Sequence, residues 1–336
     1  MKAIKFFAIT AMAAAMITSC SSEDELSQSN YPSDNIIRVT AGVNNAKTRA
    51  DGAGTEMKND FSLTIVNKNT EKPELASKYS YTDKVFSKKS GDWACSETLL
   101  WQDSKTPVDI VAFAPAQTGK FNGVCDNDRN IKPITYSVTD DQSTSSDNND
   151  LLYYYAKDFK PGTSLDENGK LSIQFNHAFC MIDINVTLGT EFNKPEVLDD
   201  SPIVKVTLGG TKIEANVDVT KAATSVVTAS ETAAATDITT TKGTFDKAAN
   251  AEANAISHFS CIAIPQKVGA NTFKVSLMTA GKRYEWTSAD PVKLKSGYRY
   301  TLNLSMGNNV VLLKGGSISA SPWTEGDTGD KPLETD

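Results

Sequence analysis

Short runs of β-branched and aromatic residues recur along this 336-residue chain from residue 36 onward, and turn-forming residues bound each run. Candidate strands of this kind cover residues 36–43, 61–66, 79–86, 108–113, 131–138, 151–156, 171–188, 203–208, 213–219, 256–264, 273–278, 283–287, 298–304, 310–313 and 318–323. Several alternate cleanly, as in Ser172-Ile173-Gln174-Phe175-Asn176, which places the apolar side chains on one face. Because the chain after residue 20 carries no helical stripe, the pattern predicts an all-β protein built from β-sandwiches.

The breaks between candidate strands suggest how the chain is divided. Gly209-Gly210 separates two alternating runs, as the loop of a two-residue hairpin would. The segment 159–169 holds a proline, two glycines and several charges, so we expect it to link an N-terminal sandwich at 36–169 to a C-terminal sandwich at 170–336. Residues 220–255 are rich in Ala, Thr, Ser and Asp, which predicts a long surface excursion of the second sandwich.

The first twenty residues have the composition of an export signal. A basic start precedes an apolar run at 6–17, which is too short to span a bilayer core of about 30 Å. The run ends in Ile17-Thr18-Ser19-Cys20, which resembles the lipobox of bacterial lipoproteins, whose cysteine becomes the lipidated first residue. We therefore expect a signal peptide at 1–19, palmitate or a similar acyl group on Cys20, and a flexible tether at 20–35. The alternative is an ordinary secretory signal with an incidental cysteine.

Charge excludes one class of partner and bears on localisation. The chain has 34 basic and 41 acidic residues, a net charge of −7, which argues against nucleic-acid binding and against attraction to anionic lipid. The acyl chains on Cys20 would then be the only membrane attachment. The acidic cluster Ser21-Ser22-Glu23-Asp24-Glu25 resembles the surface-export signal of Bacteroidales-type lipoproteins, which implies a surface-exposed position on the outer membrane.

The sequence gives little support for a metal site or a catalytic site. His177-Ala178-Phe179-Cys180 and His258-Phe259-Ser260-Cys261 form a Cys₂His₂ zinc set on paper. Both units fall in predicted strands, where residues i and i+3 point to opposite faces, so we expect no metal site and no cofactor. The cysteines after Cys20 are Cys95, Cys125, Cys180 and Cys261; they allow three pairings, and we expect none to form. No common catalytic motif is found, so we expect no enzyme, although paired carboxylates leave no readable spacing in a β-fold.

Several patterns, taken in order, resemble the Bacteroidales fimbrillin (Mfa-like) family over residues 36–327. The opening run Ile36-Ile37-Arg38-Val39-Thr40-Ala41 is followed by Thr48-Arg49-Ala50. Later matches are Trp101 ahead of the run 108–115, Asp150-Leu151-Leu152, the run 171–178, Gly297-Tyr298-Arg299-Tyr300-Thr301-Leu302-Asn303-Leu304, and 318–323 with Gly326. Each pattern is short, so the specificity comes from their order together with the lipobox.

The resemblance implies a fold and an assembly mechanism. Fimbrillins are lipoproteins with two tandem transthyretin-like Greek-key β-sandwiches. An arginine-specific protease removes the first strand, and a C-terminal strand of the next subunit fills the groove that is left. The position that matches the cleavage site is Arg49, and the donor strand matches Val310, Val311, Leu312 and Leu313, continued by 318–321. The implied partners are other fimbrillin subunits in a homo- or hetero-polymer, the protease, the outer membrane through the lipid anchor, and a host glycan or protein.

Other functions stay open at this stage. Stalk, anchor and tip roles in a fimbria are all compatible with the sequence. A surface glycan-binding lipoprotein is the alternative, and its only support is a set of aromatic residues: Trp93, Trp101 and Tyr153-Tyr154-Tyr155. A secreted hydrolase on a β-scaffold is a third class, which the missing motifs disfavour.

Overall fold

The computed structural model describes residues 30–44, 55–57, 59–117, 119–144, 149–194, 196–313 and 318–323. Their strands are β1 (Val39–Val43), β2 (Thr55–Glu56), β3 (Phe61–Asn67), β4 (Tyr81–Lys89), β5 (Asp92–Cys95), β6 (Val108–Ala114), β7 (Ile134–Ser137), β8 (Leu152–Phe159), β9 (Leu171–His177), β10 (Cys180–Leu188), β11 (Ile203–Gly209), β12 (Glu214–Val217), β13 (Val227–Ala229), β14 (Ile238–Thr239), β15 (Thr241–Asp246), β16 (Ile256–Ala263), β17 (Lys267–Val268), β18 (Lys274–Thr279), β19 (Arg283–Thr287), β20 (Val292–Lys293), β21 (Tyr298–Met306), β22 (Val311–Leu313) and β23 (Ser319–Pro322). The all-β prediction is confirmed.

Helices are few and short. The α-helices are α1 (Pro73–Lys78) and α2 (Pro161–Ser164), and 3-10 turns lie at Asn122–Val124, Thr190–Asn193 and Ala223–Ser225. None of the helices in the described residues has the length and apolarity needed to cross a membrane.

Eight strands form the N-terminal sheet, in the order β2-β1-β9-β8-β6-β3-β4-β5. Only the β1–β9 pair is parallel. The segment before β1 meets the segment after β5 at the far side of the sheet, because the Ile37 amide donates to the Leu99 carbonyl at 2.9 Å. The sheet therefore curls around one set of apolar side chains, the N-terminal core. At its centre Phe61 stacks on Phe86 and meets Phe175 edge to face, with ring centroids 5.4 and 5.5 Å apart.

The remaining sheets enclose a larger C-terminal core. A six-stranded sheet has the order β15-β16-β10-β21, with β22 and β23 both paired to the outer edge of β21. The other sheets are β14-β11-β18-β19, β13-β12-β7 and β17-β20. Strand β6 is buried on both faces because its alternate residues serve different cores: Ile110 packs in the N-terminal core, and Val111 and Phe113 pack in the C-terminal core.

The chain passes from the N-terminal sheet to the six-stranded sheet at Ala178-Phe179. The prediction of one continuous strand over 171–188 is wrong, because β9 and β10 belong to different sheets. Buried apolar residues occupy odd positions up to Phe175 and even positions from Cys180 onward, so the alternation changes phase at the crossing. The crossing is fixed by a hydrogen bond of 2.8 Å from the Ala178 amide to the Leu151 carbonyl.

Strand pairing interleaves the two halves of the chain. The expected boundary at residue 169 falls between β8 and β9, which are neighbours in one sheet. The segment 159–169 therefore connects two paired strands instead of two sheets. In addition, β7 from the first half pairs with β12 from the second. The division into domains at 36–169 and 170–336 stays a prediction.

Two further expectations fail on local geometry. Gly209-Gly210 is not a hairpin loop, because β11 and β12 lie in different sheets. Gly210 has φ +84°, and a Cβ there would lie 2.1 Å from the Thr272 carbonyl oxygen, so the position requires glycine for a close backbone approach. The segment 220–255 is not a plain surface excursion either. It contributes β13, β14 and β15, and it buries Val227 and Ile238.

Candidate assembly edges

Strand β1 places one apolar face in the N-terminal core. Ile37, Val39 and Val43 are at most 6% exposed, and Ala41 packs against the same core, as the alternation predicts. Along its length β1 runs parallel to β9, with Val39 opposite Leu171. Removing β1 would therefore open one side of the N-terminal core and leave one edge of β9 unpaired.

Polar contacts hold both ends of β1. At its start the Arg38 guanidinium lies 2.6 Å from the Asp34 carboxylate. That hydrogen bond, helped by the Ile36 amide, lowers the pKa of Asp34 to about 2. At its end the Asn44 amide donates to the Phe175 carbonyl at 2.7 Å. Because Asp34 and Arg38 are both well exposed, their ion pair contributes little to stability.

Two of the predicted site residues lie outside the described residues. Cys20 precedes them, and Arg49 falls in the segment 45–54, which connects β1 to its antiparallel neighbour β2. The expectations of lipidation at Cys20 and cleavage at Arg49 therefore stay predictions.

The predicted donor residues lie on an edge strand of their own sheet. Strand β22 pairs with residues 304–306 of β21, where Leu313 stands opposite Leu304. Val311 is 7% exposed and packs in the C-terminal core. Val310 and Leu312 are 50% and 58% exposed, so this short segment is apolar on both faces.

Residues 318–323, here called the C-terminal arm, occupy the rest of the same edge. Strand β23 in this arm pairs with residues 298–301. Ile318 at its start is 7% exposed and lies in the C-terminal core. Opposite Ala320 lies Tyr300, whose hydroxyl donates to the Lys293 carbonyl at 3.0 Å, and burial raises the pKa of this phenol.

The two histidine–cysteine units are used in packing and hydrogen bonding. His177 ends β9 and Cys180 begins β10, so the argument that one strand carries this unit is wrong. The ring of His177 lies 2.9 Å from Asp150, and that of His258 lies 3.0 Å from Asp246. Within the part of the chain that the structure describes, no group of three His, Cys, Asp or Glu side chains could hold a metal.

The four cysteines within the described ranges, at positions 95, 125, 180 and 261, are free thiols. Cys180 and Cys261 are both fully buried in the C-terminal core. Burial raises the pKa of both thiols, so these two cysteines remain protonated and unreactive.

The aromatic residues that supported glycan binding pack against the cores. Trp101 is 2% exposed and stacks on Phe159, and Trp93 meets Phe61 edge to face. Tyr153 and Tyr155 pack against the C-terminal core, whereas Tyr154 packs against the N-terminal core. Burial, the largest cause, raises the pKa of Tyr155 to about 12. These rings therefore do not form an exposed stacking platform.

A cleft of about 370 Å³ lies on the outer face of the β14-β11-β18-β19 sheet. It is lined by charges of both signs, with Asp140, Asp141 and Asp237 facing Lys205 and Arg283. Arg283 is already engaged by Glu285 at 3.2 Å. The cleft therefore mixes charges and lacks the aromatic rings on which a sugar would stack.

Comparison with known protein families identifies the family of this chain. The profile of the fimbrillin-like family matches residues 48–323. The chain belongs to the fimbrillin-like family. This family consists of structural and adhesive subunits of cell-surface fimbriae, which associate with other fimbrial subunits and are not enzymes. Among curated proteins, no sequence matches the chain.

Three solved structures from Bacteroides share the fold of this chain. A candidate cell adhesion protein from Bacteroides ovatus ATCC 8483 has 16% identity and a TM-score of 0.61, covering 87% of this chain and 99% of its own. One from Bacteroides uniformis ATCC 8492 has 14% identity and a TM-score of 0.54, covering 87% and 100%. A fimbrial protein from Bacteroides vulgatus ATCC 8482 has 16% identity and a TM-score of 0.50, covering 86% and 99%. At this identity the likeness concerns the fold.

Proposed function

We propose that this fimbrillin-like protein is a pilin subunit that reaches the cell surface as a lipoprotein and polymerises by donor-strand exchange. Cleavage after Arg49 would release β1, and the segment Val310–Leu313 of another copy would take its place. The observation that carries the proposal is the position of β1. Its side chains lie in the N-terminal core, and the chain continues from it to β2 through the segment that contains Arg49. A cut in that segment would therefore separate β1 covalently from the rest of its sheet.

The acceptor would be the groove that β1 leaves. Burying a side chain such as those of Ile37 and Val39 stabilises a protein by about 1.5–3 kcal/mol each, so the emptied groove strongly favours a replacement strand. The edge of β9 would offer its backbone groups to that strand as well. Strand addition of this kind joins main-chain hydrogen bonds to side-chain pockets on alternate residues.

The donor needs apolar residues that are not already committed to its own core. Val310 and Leu312 meet this need, because they alternate and are half exposed or more in the monomer. Their spacing is the same as that of Ile37, just before β1, and Val39, its first residue. Leaving β21 costs the donor its buried Val311 and a three-residue ladder, which is a small loss beside the groove it would fill.

Attachment to the outer membrane would come from acyl chains on Cys20. The net charge of −7 gives the folded body no attraction to anionic lipid. We expect Cys20→Ala to leave the membrane fraction or to fail in maturation. Unchanged membrane association and lipid labelling of this variant would contradict the anchor.

Limited proteolysis by an arginine-specific protease tests the assembly mechanism. We expect the cut wild type to form high-mass ladders that resist mild detergent, and Arg49→Ala to stay folded and monomeric. Lys47→Ala, which changes the same segment without removing an arginine, is the matched control and should behave as the wild type. Efficient polymerisation of Arg49→Ala would refute processing at this site. Failure of the wild type after a verified cut would exclude a stalk subunit assembled in this way.

A further inference from the structure

The last described residue, Trp323, packs on the end of β9. Its indole stacks on the imidazole of His177, with ring centroids 3.9 Å apart and the planes 13° from parallel. The Trp323 amide also donates to the Gly297 carbonyl at 2.7 Å. The imidazole is held in place from its other side, because its Nδ1 lies 2.9 Å from Asp150. The ring on which Trp323 rests is therefore positioned by Asp150 together with the backbone of β9, whose last residue is His177.

The rest of the C-terminal arm is weakly attached. Ser319, Ala320 and Ser321 are only partly buried, and Pro322 is exposed. Ile318 at one end is buried in the C-terminal core, and Ala320 and Trp323 pack against the same core from partly exposed positions. The arm pairs with β21 over four residues, and the Ser319 hydroxyl donates to the Thr301 carbonyl at 3.4 Å. An edge strand this short has little stability of its own, so the side-chain contacts at its two ends contribute to holding it.

Strand β9 links this contact to the N-terminal edge of the molecule. His177 is its last residue, and β1 pairs along the residues just before it, as far as Val43 opposite Phe175. The side chain of Asn44 extends the pairing by donating to the Asn176 side chain at 2.9 Å. Strand β9 is thus flanked by β1 and Asn44 as far as Asn176, and its next residue, His177, carries the ring that contacts Trp323.

We infer that the stack of Trp323 on His177 keeps the C-terminal arm on its own sheet, and that β9 couples this contact to β1. In the presence of β1, the arm is held and the donor segment before it stays paired. Loss of β1 frees one edge of β9, loosens its last residues and lets the arm detach. This inference rests on the proposed function, for which it supplies the regulation: one event would open the acceptor groove and free the donor.

The coupling must act in both directions, because linkage between two sites is reciprocal. Removing the Trp323 ring should therefore loosen β1 and β9 as well as the arm. This gives a test on the uncut, full-length monomer, which requires no polymerisation.

Hydrogen–deuterium exchange on Trp323→Ala measures both parts of the inference. We expect the peptides that cover 298–301 and 318–323 to exchange about tenfold faster than in the wild type, which corresponds to losing one aromatic stacking contact. A smaller acceleration in the same direction is expected in peptides that cover 39–43 and 171–177. Trp323→Phe, which keeps a stacking ring, should restore most of the protection.

A matched control separates this contact from general destabilisation. Trp286→Ala removes another partly buried indole of the same half, which meets Phe273 edge to face, and it should leave the arm protected. Unchanged exchange of the arm in Trp323→Ala would overturn the inference. Acceleration confined to the arm, with 39–43 and 171–177 unaffected, would overturn the coupling through β9. Failure to polymerise after a verified cut, with the exchange results as expected, would refute the proposed function alone.

Discussion

The two edges of this molecule differ in how deeply they enter a core. At the N-terminal edge, Ile37 just before β1 and Val39 and Val43 within it enter the core, and at most 6% of each side chain remains exposed. The C-terminal edge is made of two pieces of three and four residues, and it leaves Val310 and Leu312 largely exposed. The first edge can be vacated only by removing the strand from the chain. The C-terminal strands can leave their edge when a few contacts break. This difference suits the N-terminal edge to act as an acceptor and the C-terminal segment to act as a donor.

The largest effect should come from the side chains beneath β1. Phe175→Ala removes a fully buried ring that contacts Phe61, and we expect a loss of about 3–5 kcal/mol in the free energy of unfolding. Ile184→Ala in the C-terminal core should cost about 2–5 kcal/mol through the cavity that it leaves. Urea denaturation measures both. A midpoint change near zero for either variant would show that its side chain faces away from the core.

The second effect compares the two edges directly. We expect Val39→Ala in β1 to cost about 1.5–3 kcal/mol, because two buried methyl groups and their contacts are lost. Leu312→Ala in β22 should change the free energy of unfolding by no more than about 0.5 kcal/mol, since the side chain is 58% exposed. Equal losses in the two variants, measured by the same denaturation, would remove the proposed asymmetry.

Much of this comparison could be predicted from the sequence. Alternation identified the inward faces of β1 and β9, including Val39 and Phe175, because each strand has one face in a core. The change of phase between Phe175 and Cys180 marks the end of one strand and the start of another, but the run 171–188 was predicted as a single strand because both parts are apolar and alternate. Helix α1 is not among the predicted elements, because its six residues are too few to show a periodic stripe, although Pro73 and Glu74 at its start are typical of a helix N-terminus.

Other features had no local signal. Strand β15 has exposed or half-buried residues throughout, so nothing in Thr241–Asp246 alternates. The pairing of β7 with β12 joins segments about 80 residues apart, and composition does not specify such a contact. The contact of Trp323 with His177 depends on the same long-range topology. The sequence presented His177 only as a candidate metal ligand, because its stacking partner comes from the far end of the chain.

The smallest effect concerns the ion pair at the start of β1. Because the hydrogen bond from Arg38 lowers the pKa of Asp34 to about 2, this carboxylate binds its proton more weakly in the folded state than in the unfolded state. Its contribution to stability is therefore present above about pH 4 and is lost as the pH falls toward 2. We expect Arg38→Gln to weaken this dependence slightly in acid titrations of the unfolding midpoint. An unchanged acid profile would show that the pair does not hold the start of β1.

The central claim is that a C-terminal segment replaces β1 of another copy after cleavage at Arg49. Disulfide trapping between two differently labelled variants tests it most directly. One variant carries Ser172→Cys, on the exposed face of β9 opposite Thr40 of β1, and the other carries Leu313→Cys, which takes the place of Thr40 on that face when Leu312 takes the place of Val39. After a verified cut, we predict an intermolecular disulfide between these two positions, identified by mass spectrometry, and none in the uncut mixture. A cut mixture in which residues 310–313 stay paired with their own β21 and no such bond forms would contradict the account.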